Sequence, residues 1–128
     1  MAGFESVARD ECEETRMIAE QNDRFRTTWG ADFAVPGQVV MTHGVNLLPF
    51  AAKVAIMAAV QGFKVFDADN DPHGEHDFGA FEVSTGDGDV RLFWKIDLFD
   101  RTYRMGSDDP ANPDLTRRVL TVMLAAEY

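Results

Sequence analysis

Val90-Arg-Leu-Phe-Trp-Lys-Ile-Asp-Leu98 alternates between two kinds of surface. Leu92, Trp94, Ile96 and Leu98 share one face of an extended chain. Arg91, Phe93, Lys95 and Asp97 share the other. A period of two marks a strand with one side on a core. Phe78 to Val83 reads as its neighbour, because Ser84-Thr-Gly-Asp-Gly-Asp89 between them has turn chemistry. Asp100-Arg101 predicts a tight turn into a third strand, Thr102 to Met105, which would complete an antiparallel meander.

Upstream, Gln38 to His43 is short and β-branched and predicts one further strand. His43 at its end reads as structural, since nothing local completes a dyad. Three helices are expected around this sheet. Glu5 to about Trp29 lacks Gly and Pro, with Ile18, Phe25 and Trp29 on one stripe. Glu13, Glu14, Glu20, Asp23 and Arg24 form the opposite face. Asn22 falls on the stripe, either as a core amide with local partners or as an anchor for a neighbouring loop. Pro49 opens a second helix, Phe50 to Gln61, apolar nearly all round and so expected to be buried on most sides or to form a dimer contact. Asn112 as N-cap, Pro113 and Asp114 predict a third helix running to Tyr128. Its apolar face would be Leu115, Val119, Val122 and Met123, with Arg117, Arg118 and Thr121 turned away. The expectation is a single two-layer α+β domain over residues 1–128: an antiparallel sheet, made of a three-strand meander plus one N-terminal strand, covered by three helices. Residues 1–10 would be a frayed extension of the first helix.

The net charge of −10 argues against direct nucleic-acid binding and against anionic membrane surfaces, both of which need cations. It suits a partner with a basic surface. A single cysteine, Cys12, excludes an internal disulfide and fits a reducing cytoplasm. The N-terminus has no basic-then-apolar secretory pattern, and no apolar run is long enough to span a bilayer.

Chemistry would sit in Asp67-Ala-Asp-Asn-Asp-Pro-His-Gly-Glu-His-Asp77, an ordered loop by its Asp-Pro and His-Gly turn signals. Neither register of an EF-hand fits it: one puts His73 at position 5 and Ala80 at position 12, the other puts Pro72 at position 6. A zinc or manganese site would use His73, Glu75, His76 and Asp77. A catalytic site would use His76 as general base oriented by Asp77 or Asp97. No nucleophile motif or phosphate-binding loop accompanies them, and no cofactor is implied. Asp and Asn side chains in such a loop also cap their own turns. A third reading takes the acids together. Phe66 to Val90 holds eight acidic residues and no Lys or Arg. Asp67, Asp69, Asp71, Glu75 and Asp77, with Asp97, Asp100, Asp108 and Asp109, would form a stiff negative surface able to imitate nucleic-acid phosphates.

Five blocks carry a family resemblance: Arg16 to Arg26, Asp69-Asn-Asp-Pro-His-Gly-Glu-His-Asp-Phe-Gly-Ala-Phe81, Phe93-Trp-Lys-Ile-Asp97, Gly106-Ser-Asp-Asp-Pro110 and Thr116 to Tyr128. With them the chain resembles a bacterial family of small proteins of unassigned function. The resemblance supplies no catalytic residues. It implies free-standing proteins encoded on plasmids or accessory regions, which fits an accessory or anti-defence role. The resulting expectation is a small acidic, non-enzymatic protein-binding module. Its concrete form is an inhibitor of a nucleic-acid-binding host-defence complex, of anti-CRISPR or DNA-mimic type. The alternatives are a metal-assisted hydrolase built on the His/Glu/Asp loop and a homodimeric structural module.

Overall fold

The computed structural model describes residues 10–128, so the expected helical extension over residues 1–9 lies outside the described residues. Helix α1 spans Glu11–Thr27. Asp10 caps it, its carboxylate accepting from the Glu13 N–H at 2.6 Å, and Glu11, Glu13 and Glu14 complement the positive end of its dipole. Strand β1 (Gly37–Met41) leads into a one-turn helix α2 (His43–Asn46), so His43 opens a helix rather than ending a strand. Helix α3 spans Phe50–Gln61, with Pro49 at its N-cap. Strands β2 (Phe78–Thr85) and β3 (Gly88–Phe99) form the expected hairpin, with Phe78 opposite Lys95 and Val83 opposite Val90.

The C-terminal segment departs from expectation. Arg117–Leu124 is a strand, β4, not a helix, and only Ala125–Glu127 make a closing 3-10 turn. β4 pairs antiparallel with β3 and parallel with β1, giving the order β1-β4-β3-β2. The meander is therefore β2-β3-β4, and the N-terminal strand lies parallel to its last member. The physical reason is the period: Arg118, Leu120, Val122 and Leu124 align on one face of a strand, and β-branched Val119, Thr121 and Val122 favour it. Arg118, expected to face away, is fully buried. Asn112 does cap a turn, accepting from the Asp114 N–H at 3.0 Å, but no helix follows.

Thr102–Met105 is a turn, not a third strand. Asp100 Oδ1 accepts from the Thr102 N–H at 3.0 Å, the Thr102 hydroxyl at 2.8 Å and the Arg104 N–H at 3.3 Å. Its carboxylate competes with ladder pairing, leaving one bridge, Phe99 to Gly106.

The result is the α+β fold expected, with a four-stranded mixed sheet and three α-helices among the described residues. Phe25 of α1 and Ile56 and Val60 of α3 pack with Leu92, Trp94, Leu120 and Val122 of the sheet, all fully buried. Each such side chain contributes about 1.5–3 kcal/mol. Gly79 sits opposite Trp94 in the ladder, and a methyl there would lie 2.3 Å from the indole nitrogen, so only glycine leaves the ring its place. On the other sheet face Lys95 pairs with Asp97 at 3.0 Å, and Phe78, Phe93 and Tyr128 form an aromatic trio.

α3 departs from all-round burial. Ala52, Ile56 and Val60 face the core, while Phe50 is 79% exposed and Val54 52%, with Met57 and Leu47 also exposed. Glu127 ties the chain's last turn to α2, its carboxylate accepting from the Thr42 hydroxyl at 2.6 Å and the Gly44 N–H at 3.0 Å.

Candidate functional site

The 67–77 loop is ordered, and α1 holds it. Asp67 Oδ1 accepts from the N–H groups of Asp69 and Asn70, and Asn70 in turn bonds Asp67 N–H and the Val65 carbonyl. Asp71 is buried, its carboxylate accepting from the Glu75 N–H at 3.1 Å and the His76 N–H at 3.2 Å. The turn it closes needs two left-handed residues, Gly74 at φ 71° and His76 at φ 54°. Asn22 of α1 donates to the Glu75 carbonyl at 2.9 Å, and the Ile96 N–H of β3 donates to the Asp77 carbonyl at 2.8 Å.

His76 folds inward. Its ring stacks on Phe66, centroids 3.9 Å apart and planes within 4°. Nδ1 lies 2.9 Å from Asp23 of α1, and since a carboxylate only accepts, Nδ1 carries the hydrogen. Nε2 faces Asp71 at 3.8 Å. Asp23 also receives Nη2 of buried Arg26 at 2.9 Å, so it is not a solvated surface acid as its helix position predicts. Arg26 lies over Trp94 and Phe66, and its Nη1 reaches the Val60 carbonyl at 3.2 Å, capping the end of α3. Burial lowers the Arg26 pKa, with Asp23 opposing that shift.

The catalytic reading paired His76 with Asp77 or Asp97. Its carboxylate is Asp23 instead, bound at Nδ1, while Nε2 lies 3.8 Å from Asp71, beyond hydrogen-bond distance. Asp97 pairs with Lys95. For the metal reading, His73 is exposed at the loop tip while His76 turns into the fold. Among the described residues no group of three or more His, Cys, Asp or Glu side chains is placed to hold a metal ion.

The expected acidic surface divides into two sets. The carboxylates of Asp67, Asp71 and Asp100 are taken up by their own turns. Asp69 and Asp108 are exposed, and Glu75, Asp77 and Asp109 are half-buried. Glu75 is raised above the usual carboxylate range, by burial first and then by Asp77, Asp71 and Glu14, with His73 opposing. Asp77 is raised by burial and by Asp71 and Asp97. Burial and neighbouring acids thus both disfavour the charged forms of Glu75 and Asp77 on this loop.

The polar anchor continues under the sheet. Arg118 of β4 donates Nε–H to Asn22 Oδ1 at 2.8 Å and Nη2–H to Gln21 at 3.0 Å. Burial brings its pKa down to about 10, so it is a cation at neutral pH. Asp23, Phe66, Arg26 and Arg118 were not legible as site residues. For Asn22, the loop-anchor reading is the one observed, and its partners are distant in sequence.

A family model described as protein of unknown function (DUF3768) matches residues 41–127. The chain belongs to that family. The matched DUF3768 span begins at the last residue of β1, so it takes in the acidic loop, the hairpin and β4 but not α1. No curated protein and no solved structure matches the chain.

Proposed function

We propose that this DUF3768 member is a non-enzymatic module that acts by binding another protein. The observation that carries the reading is the outer face of α3. Phe50, Val54 and Met57 stand out of the molecule, and with Trp29 and Met41 they line a groove of about 350 Å³. An apolar surface of this kind on a strongly charged chain marks a contact site. The stacking of His76 on Phe66 and its bond to Asp23 support a structural role for this side chain.

The charge adds direction. A chain at −10 steers towards a basic partner surface. Inhibition of a nucleic-acid-binding host-defence complex, by imitation of phosphates, is the narrow form of the reading. It has Asp69, Glu75, Asp77 and Asp108 to work with, whereas Asp67, Asp71 and Asp100 are taken up by their own turns and Asp97 pairs with Lys95. No helix among the described residues is long and apolar enough to cross a membrane.

The test places a photo-crosslinking residue at Val54, at Asp69, or at Asp87 on the hairpin turn, in cells that naturally carry the protein. One protein trapped from Val54 and not from Asp87 supports the reading. Trapping from Asp69 as well, lost in an Asp69→Lys/Glu75→Lys variant, supports the acidic inhibitor. Asp71 is left intact because it closes the loop. Equal trapping at all three positions, or none, overturns it. A second copy of the chain on the α3 face is the other occupant. Light scattering that shows a dimer, converted to monomer by Val54→Lys, decides for it.

A further inference from the structure

Three turns meet at a groove of about 480 Å³ lined by Phe33, Pro36, Arg101, Pro113, Asp114 and Arg117. It shares no residue with the α3 face, while Arg101 also borders a neighbouring hollow with Asp100 and Asp108. The chain has 22 acidic residues against 12 Lys and Arg, and Arg16, Arg24, Arg26 and Arg91 each have a carboxylate partner. Among the described residues Lys53, Lys64, Arg101, Arg104, Arg117 and Arg118 have none, and of these Arg101 and Arg117 stand together at this groove. The groove sets two guanidiniums against one carboxylate, Asp114, an excess of positive charge in an acidic chain that suits an outside anion.

The groove is preorganised. Arg117 Nη1 donates to the Thr116 carbonyl at 3.0 Å, with longer contacts to the Pro113 and Asp114 carbonyls at 3.4 and 3.5 Å. That fixes the guanidinium and leaves Nε and Nη2 available. Arg101 follows Asp100, whose carboxylate closes the 100–106 turn. Phe33 sits in a segment tied by Asp32, which accepts from the Ala34 N–H at 2.9 Å and pairs with Arg24. Phe33 is 93% exposed, an unusual position for a phenyl ring with no partner of its own. A planar guanidinium fork matches two oxygens of one anion, and a fixed site loses little entropy on binding.

We propose that this groove binds a small organic oxyanion, a carboxylate or phosphate carried on a flat apolar body. The head group would bridge Arg101 and Arg117, and the body would lie along Phe33, Pro36 and Pro113. Asp114 opposes it from the rim, which gives the proposal a second sign to check.

The probes are phenyl phosphate, benzoate and inorganic phosphate, titrated against the full chain and followed by amide NMR shifts. Saturable shifts at residues 33–35, 101 and 114–117 are expected, with a Kd on the order of a millimolar. Arg101→Gln, at an exposed residue without hydrogen-bond partners, should weaken binding about tenfold, the effect of one charge-assisted bond. Asp114→Asn should tighten it. Binding by phenyl phosphate alone or benzoate alone supports the proposal and names the head group. Shifts that do not saturate, equal affinity in Arg101→Gln, or inorganic phosphate binding as well as phenyl phosphate would overturn it.

Discussion

Arg118 donates its Nε–H to Asn22 Oδ1 across 2.8 Å, and no carboxylate among the described residues pairs with that fully buried guanidinium. A cation is thus kept inside the fold by two amides, with its Nη1 unpartnered. Withdrawing such a group from water costs several kcal/mol, and the amides return only part of it. Arg118→Met, which keeps the stem and removes the charge, should leave stability within about 1 kcal/mol of the wild type or raise it. Asn22→Leu, which strands the charge, should cost about 3–5 kcal/mol. The double variant should recover at least about half of that loss, since its charge is gone. Urea unfolding of the four proteins checks the cycle, and an Arg118→Met loss as large as that of Asn22→Leu would refute it.

His76 at φ 54° makes a backbone prediction. Asn tolerates the left-handed region, so His76→Asn loses only the Phe66 stack and the Asp23 bond, about 1–2 kcal/mol. His76→Val should cost about 1–2 kcal/mol more, because a β-branched residue is strained there. Hydrogen exchange should quicken over residues 66–76 and stay slow in β3 and β4.

The loop should also answer to pH. The folded pKa values of Glu75 and Asp77 are raised, so the unfolded chain releases these protons first. Their contribution is full below the unfolded carboxylate range and is lost as pH rises through the folded values. Asp100 and Glu127, lowered by hydrogen bonds, have the opposite sign and lose theirs as pH falls. Glu75→Gln should therefore raise Tm at pH 7 and leave it little changed near pH 4. A benefit of equal size at both would contradict the assignment.

Gly79→Ala places a methyl 2.3 Å from the Trp94 indole nitrogen and 2.6 Å from the Phe63 ring. Overpacking of this kind costs about 1–3 kcal/mol. Because Trp94 is fully buried, its near-ultraviolet dichroism should change with the loss of stability.

The hairpin was legible because β3 repeats every two residues with large side chains on the core face. The C-terminal strand was not. Leu115, Val119, Val122 and Met123 satisfy a helical period, while Arg118, Leu120, Val122 and Leu124 satisfy a strand period. The Asn112-Pro113 turn chemistry then favoured the helix, although it only ends a loop. Arg118 could be placed only once its neighbours across the sheet were known. The 67–77 loop was legible as ordered, but not as folded inward. Asp67, Asp71 and Asp100 read alike with Asp69 in sequence, and only the donated N–H groups separate structural acids from free ones. The partners of His76 lie 53 residues away in Asp23 and 10 away in Phe66, distances at which local pattern carries no signal.

β4 follows every other strand in the chain and lies between β1 and β3. As the polypeptide emerges from a ribosome, β1 and the β2–β3 hairpin have no hydrogen-bonded link until residues 117–124 arrive. Both then carry open edges, the state most prone to pairing with the wrong chain. Closing this sheet is therefore a late event, and a ribosome stalled before Arg117 would hold the hairpin and helices α1, α2 and α3 but no finished sheet.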